Sequence, residues 1–309
     1  MSDTTLQMDL AVQRVLDPEG KLVGAMPDLD DGQLEALFRR LVQTRTFDET
    51  SLRLQRTGRI PAYYACAGME AHVAIPAALE DRDWVFTAYR EQGVRLGRGV
   101  PEVNELALWR GMPYAIWDPL EFRITPLNAT IGTHIPQTTG YGYAARMLGK
   151  DEVALAMFGD GATSEGDFHE AVNCAGVFGV PTVFVIQNNQ WAISTFQGIA
   201  KGGSGTFAAR GHGFGIPSLR VDGNDYLAVY AVAKWAIERA RRNLGPTLVE
   251  YVTYRAGGHS TSDDPAAYRP KEEGDAWPLG DPVLRLKTHL IQRGTWSEER
   301  HVQAEAEVM

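Results

Sequence analysis

An aspartate between two glycines, in Phe158-Gly159-Asp160-Gly161-Ala162, is followed further along by paired amides in Gln187-Asn188-Asn189-Gln190-Trp191. A carboxylate and an amide oxygen are hard donors that suit Mg²⁺. That ion takes few protein ligands when phosphate oxygens supply the rest of its shell. Each motif closes an apolar run, Val153 to Phe158 and Thr182 to Ile186, as expected of strands buried on both faces. The glycines flanking Asp160 allow a sharp turn and close approach of a ligand to the backbone. Asp160 and Asn189 should therefore project from the carboxyl ends of neighbouring parallel strands, where open α/β sheets bind their ligands. An Asp-Gly between apolar runs is, taken singly, usually only a turn. The amide pair at the end of the second run makes a metal holding a diphosphate the better reading.

Three further residues could meet such a ligand. Arg90 follows the apolar run Trp84-Val85-Phe86-Thr87 and precedes Gly93, and a guanidinium donates two parallel hydrogen bonds to phosphate oxygens. Arg255, after a run ending at Tyr254, is a second phosphate-side candidate. His259 lies in the loop Ala256-Gly257-Gly258-His259-Ser260-Thr261-Ser262-Asp263-Asp264, and histidine can donate to phosphate or exchange a proton near neutral pH. A histidine in a polar loop is in most proteins merely solvated.

The elements that must position these groups alternate. Helical spacing runs from Asp31 through Leu34, Leu37, Phe38, Leu41 and Val42 to a stop at Gly58, and a second helix is expected over Met69–Leu79. Helices are then predicted over 135–148, 165–178 and 225–242, and strands over 84–87, 153–158, 182–187, 218–221 and 247–254. Strands alternating with long helices imply right-handed crossovers and a parallel sheet with helices on both faces, an α/β fold. Asp222 or Asn224 could cap the helix at 225. Residues 1–30 lack sustained periodicity and read as an N-terminal arm that packs on something else, leaving 31–309 as one domain. The glycine-rich run 198–215 reads as a functional loop.

Composition sets outer bounds. A chain of 309 residues with 44% hydrophobic and 22% charged residues can bury a large core. A net charge of −9 argues against general nucleic-acid binding. No apolar run spans a membrane, and Met1-Ser2-Asp3-Thr4-Thr5 lacks the pattern of a signal peptide. Cys66 and Cys174, the two cysteines, have no metal-ligand spacing and point to a reducing cytoplasm.

Gly159–Asn189 matches the thiamine diphosphate signature, and the likeness spreads to Asn189-Gln190-Trp191-Ala192-Ile193-Ser194-Thr195, Val221-Asp222-Gly223-Asn224-Asp225 and Gly258-His259-Ser260-Thr261-Ser262-Asp263-Asp264-Pro265. Together these resemble the alpha subunit of the decarboxylase component of 2-oxo acid dehydrogenase complexes, closest to the bacterial branched-chain type. The resemblance implies a thiamine diphosphate-binding fold. Asp160, Asn189 and the carbonyl of Trp191 would hold Mg²⁺. Tyr89, Arg90, Ile131, Gly132, Gly161, Ala162, Asn189, Arg255 and His259 would hold the cofactor, with His259 facing the reacting centre. It implies oxidative decarboxylation of a branched-chain 2-oxo acid with acyl transfer to lipoyl-lysine on a dihydrolipoyl acyltransferase core. The chain would carry half of each active site. A beta subunit would supply the glutamate beside the pyrimidine, giving an α₂β₂ heterotetramer.

Departures from the pattern are also legible. Gln187 stands where mitochondrial relatives have an arginine, and His134 where relatives often have glutamine. Segment 101–135 is shortened although it keeps Arg110-Gly111-Met112-Pro113, and the helical pattern at Met309 continues further in relatives, so the C-terminal helical region is expected to be incomplete. A serine matching Ser260 is phosphorylated in mitochondrial relatives, and such regulation is not expected here. Two other readings stay open: a pyruvate- or acetoin-type dehydrogenase, and a catalytically silent scaffold paralogue. Nicotinamide binding fails, because no Gly-x-Gly-x-x-Gly follows the first core strand.

Overall fold

The computed structural model describes residues 10–112 and 116–308, so Pro113, Met1–Thr5 and Met309 lie outside the described residues. Among the described residues there are eight strands: β1 Val12–Gln13, β2 Trp84–Thr87, β3 Ala154–Gly159, β4 Thr182–Asn188, β5 Trp191–Ala192, β6 Thr195–Phe196, β7 Ser218–Asp222 and β8 Thr247–Val252. Six form one parallel sheet in the order β1-β7-β8-β4-β3-β2, and β5 pairs with β6 as a small antiparallel hairpin. Ala156 lies between Phe86 on one side and Phe184 on the other.

Period-two alternation divides the core between two layers. Leu155, Met157, Val183 and Val185 lie on the face covered by the helix Tyr226–Arg241, in one core cluster that also takes in the buried side of the helix Asp31–Arg56. Ala156, Phe158, Phe184 and Ile186 face His134–Met147 and Gly166–Phe178. Burial on both sides explains why the central strands read as unbroken apolar runs. The first helix is stopped at its start by a reciprocal cap, in which Asp30 accepts from the Gln33 amide and the Gln33 side chain accepts from Asp30.

Three expectations need correction. Residues 12–16 of the presumed arm belong to this chain's own fold: Val12 and Gln13 extend the sheet beside β7, and Val15 and Leu16 are buried. The amides of Val15 and Leu16 donate to Asp225 Oδ2 at 2.7 and 2.6 Å, and Arg14 pairs with Asp222 at 2.8 Å. Acidic acceptors at the end of β7 thus hold a segment too short to show periodicity. The cap of the helix Tyr226–Arg241 is accordingly Asp225, through Leu227 and Ala228, and not Asp222 or Asn224. Finally, the helix expected over 69–79 is a 3₁₀ turn, Glu70–Val73, and a short helix, Ala74–Ala78. Pro76 lacks the N–H that would reach back to His72, so no continuous helix forms. Among the described residues no helix is long and apolar enough to cross a membrane.

Candidate active site

A cavity of about 380 Å³ opens at the carboxyl ends of β2, β3 and β4, within the range of small-ligand sites. Its lining includes Tyr89, Arg90, Ile131, Gly132, Asp160, Gly161, Ala162, Asn189, Trp191 and His259. One cavity therefore gathers every residue expected to hold the metal or the cofactor except Arg255.

The turn after β3 is a 3₁₀ segment, Asp160–Ser164, stapled by the Thr163 hydroxyl donating to the Asp160 carbonyl at 2.6 Å. Asp160 is buried, and its Oδ2 has no hydrogen-bond partner. Burial pushes its carboxyl up to about 7, against the pull of Arg255. A buried carboxylate in this condition is costly unless a cation joins it. Asn189 Oδ1 accepts from the Trp191 amide at 3.2 Å, which turns the amide oxygen back over the chain after β4. Gly161 is required: a Cβ there would stand 2.8 Å from Ala192 Cβ, so the Asp160 turn and the β5–β6 hairpin close on each other. Gly132 is at φ +85 with Glu165 Cβ 3.3 Å from where its own Cβ would be.

Trp191 sits between two strained residues, Gln190 at φ +75 and Ile193 at φ +55. Left-handed backbone at non-glycine residues costs about 1–3 kcal/mol and persists where surroundings enforce it. Here they do. Gln190 Nε2 donates to the carbonyls of Asn188 and Thr253, both at 3.1 Å. Arg255 donates to Trp191 O at 2.8 Å and Ile193 O at 2.9 Å. The guanidinium of Arg255 is thus engaged by main-chain carbonyls and the Tyr268 hydroxyl (2.7 Å). It does not line the cavity, and it holds the metal-ligand candidate Trp191 from behind.

The cationic wall is formed by Arg90, which donates to Ala65 O at 2.6 Å and His259 O at 2.8 Å. Its second terminal nitrogen also lies 3.3 Å from His259 Nδ1. A guanidinium only donates, so Nδ1 accepts and the neutral ring carries its proton on Nε2. Burial, with Arg90 and Arg255 nearby, pushes the imidazole down to about 4. His259 is therefore a neutral donor at physiological pH. Its backbone amide is fixed by Asp263 Oδ2 at 2.6 Å, which also accepts from Tyr268 at the same distance.

Several lining residues escaped sequence reasoning: Tyr64, Met69, Glu91, Glu165, Ala192 and Ile193. Tyr64 lies in no motif and comes from a loop between helices. Glu91 is buried beside Arg90, and its Oε1 accepts from Gln187 Nε2 at 2.6 Å. Burial pushes its carboxyl up to about 7. Gln187, where mitochondrial relatives have an arginine, thus engages a buried acid. His134, the other departure, is committed to the fold at one nitrogen, with Nε2 2.8 Å from Met157 O.

The model of the family described as dehydrogenase E1 component matches residues 39–309. The 2-oxoisovalerate dehydrogenase subunit alpha of Pseudomonas aeruginosa is 46% identical, over 96% of this chain and 75% of the relative. The 3-methyl-2-oxobutanoate dehydrogenase subunit alpha of Mycobacterium tuberculosis is 41% identical, over 99% of this chain and 84% of its own length. The pyruvate dehydrogenase E1 component subunit alpha of Acholeplasma laidlawii is also 41% identical, over 95% and 86% respectively. A family match over most of the chain, with relatives more than 40% identical along nearly its whole length, means that the chain belongs to the dehydrogenase E1 component family.

Proposed function

We propose that this chain is the alpha subunit of a thiamine diphosphate- and Mg²⁺-dependent dehydrogenase that decarboxylates branched-chain 2-oxo acids and passes the acyl group to a lipoylated acyltransferase core. The observation that carries the reading is the convergence of a buried, partnerless Asp160 oxygen with Asn189, Arg90 and His259 in one cavity. The branched-chain preference is supported by relatives whose names specify 2-oxoisovalerate and 3-methyl-2-oxobutanoate. A pyruvate-type relative at 41% identity keeps that substrate as the alternative to be measured.

The residues present fit the cofactor. Asp160, Asn189 and the Trp191 carbonyl offer three hard oxygens, a set that suits Mg²⁺ when phosphate and water complete its shell. Arg90 and the Nε2–H of His259 would donate to diphosphate oxygens from the opposite wall. Ile131 and Ile193 give the cavity an apolar side, and Gly132 and Gly161 allow close approach of the backbone. When bound, thiamine diphosphate supplies the carbanion chemistry that decarboxylation needs, and the protein supplies orientation and proton positioning. A neutral His259 is suited to donating a hydrogen bond from Nε2–H to a ligand oxygen, and Arg90 fixes which nitrogen carries that proton.

Relatives named as alpha subunits support a second, beta chain and an α₂β₂ assembly. So does an exposed apolar surface where two adjoining helices end: Tyr143, Met147 and Leu148 on one, Val177 and Phe178 on the other. Patches of this kind mark interaction surfaces. A cytoplasmic setting is proposed with it, supported by two free thiols.

The test is calorimetric titration of thiamine diphosphate with and without Mg²⁺, on this chain alone and after assembly with its candidate beta subunit. Tight, metal-dependent binding in the assembly, followed by turnover of branched-chain 2-oxo acids in preference to pyruvate, is expected. A stable assembly that binds no cofactor would instead favour the scaffold role.

A further inference from the structure

We propose that Tyr64 is a positioning residue for His259 and Arg90, and that Trp109 in turn holds Tyr64 in place. The inference rests on the reading of Arg90 and His259 as the hydrogen-bond-donating wall of the cofactor site. Tyr64 lines the same cavity. Its ring meets His259 edge to face, with centroids 5.4 Å apart and planes at 82°. It also packs on Tyr89 at 4.6 Å, and the Arg90 guanidinium lies 5.7 Å from its centre. Tyr89 touches His259 and Arg90 from its own side, at 5.9 and 5.5 Å. Two phenol rings therefore enclose the guanidinium–imidazole contact on which the Nε2–H form of His259 depends.

Tyr64 is itself braced. Gln92 Nε2 donates to its carbonyl at 2.6 Å. Trp109 contacts its ring at 5.5 Å, and contacts the neighbouring Tyr63 at the same distance. The Trp109 indole donates to Glu105 at 3.2 Å, and Glu105 is locked in a buried ion pair with Arg95 at 2.7 Å. The line Arg95–Glu105–Trp109–Tyr64–His259 runs from the helix Glu102–Trp109 to the cavity wall. Charged groups facing His259 are Arg90 and Arg255, which disfavour its cation, and Asp263, which favours it. Neither arginine changes charge in the physiological range, so the aromatic cover is the part of this environment that a neutral substitution can remove. Replacing Tyr64 by a small apolar side chain admits water to the imidazole and frees Arg90 to shift. Both effects make protonation of His259 easier.

The test uses the full chain with isotope-labelled histidine rings, with His259→Gln to assign the His259 signal. In the wild type the ring should stay neutral, protonated on Nε2, with its midpoint well below the ordinary histidine value of 6.5. Tyr64→Leu should bring that midpoint toward the ordinary value and mix the two neutral tautomers. In the assembled protein the same change should weaken thiamine diphosphate binding by roughly 2- to 10-fold, the scale of one lost aromatic contact. Tyr64→Phe, which keeps the ring, should retain the wild-type midpoint, and Trp109→Leu should raise it by a smaller amount. An unmoved midpoint in Tyr64→Leu, or an equal shift in Tyr64→Phe, overturns the proposal. If Tyr64→Leu does not fold, Trp109→Leu decides: a raised midpoint supports the assignment and an unchanged one overturns it. The ring titration needs no cofactor. Failure of the wild-type assembly to bind thiamine diphosphate would therefore count against the proposed function and leave the positioning role of Tyr64 standing or falling on the titration.

Discussion

Asp160 and His72 are both buried titratable side chains, yet they serve opposite ends. At Asp160 the orphan oxygen belongs to a cavity with other hard donors, where a cation would relieve the unfavourable burial. Asp160→Asn should therefore abolish the Mg²⁺ dependence of cofactor binding. The loss should exceed the roughly 10- to 100-fold that removing an outer-shell partner costs, while the metal-free protein melts no lower than the wild type. A metal-free variant that unfolds readily would show that Asp160 is structural. His72 has no such outlet: burial pushes it down to about 3, with Arg95 nearby acting in the same direction and the Gln187 side chain opposing both. The unfolded chain binds a proton at this site near pH 6.5, and the folded chain does so only near 3. Stability is therefore lost as pH falls through that window, by up to about 1.4 kcal/mol per pH unit from this one group. His72→Leu should flatten the decline seen in denaturant melts between about pH 6.5 and 4. An unchanged slope would mean that His72 is already protonated in the fold. The Asp160 signal was legible in the sequence because glycines and apolar strands frame it, whereas the apolar run around His72 hints at burial without showing what its ring would meet.

At the scale of elements, the turn after β3 and the β5–β6 hairpin are one device. Gly161 and Ala192 touch where any larger side chain would collide, and Arg255 and Gln190 hold the strained backbone on either side of Trp191. Gly161→Ala introduces a Cβ at 2.8 Å from Ala192 Cβ, and overpacking of this kind costs about 1–3 kcal/mol. The hairpin can yield more easily than the turn anchored to β3, so Asn189 and Trp191 should move relative to Asp160. Metal and cofactor affinity should then fall more than thermal stability does. Ala192→Gly should restore binding in the double variant while having little effect by itself. Failure of that rescue would place the constraint elsewhere, for example on Ile193. The strands that build this device were legible because burial on both faces makes them continuous apolar runs. The hairpin was not: two residues per strand give no period to read, and its geometry is enforced by Arg255, which is distant in sequence. Residues 12–16 escaped for a related reason, since their place in the sheet depends on acceptors at Asp222 and Asp225.

For the molecule as a whole, the sheet brings together residues from the ends of β2, β3, β4 and β8 into a site that is open on one side. Its alternating elements announced that architecture, because each strand–helix unit carries its own apolar pattern. What a single chain cannot announce is how its surface is completed. The exposed ends of the helices His134–Met147 and Gly166–Phe178 carry Met147 at 68% and Val177 at 70% exposure, and Tyr143 and Phe178 pack ring to ring at 5.1 Å between them. Both helices also flank the cavity at their other ends: His134 lines it, and Gly166 follows Glu165, which lines it as well. A partner seated on the apolar ends would thus run along the two helices that lead to the site. Met147→Asp combined with Val177→Asp places charges at positions that contribute little to this chain's own core, so its isolated melting temperature should stay near the wild-type value. Assembly with the beta subunit should fail because each aspartate would be desolvated in an apolar interface without a partner. Cofactor turnover should be lost with it, although Asp160, Asn189, Arg90 and His259 are untouched. Analytical ultracentrifugation of the mixture reads the outcome directly. A variant that still sediments as the full assembly would move the interface to another face, and one that assembles but does not turn over would mean that these helix ends align the site instead of joining the subunits.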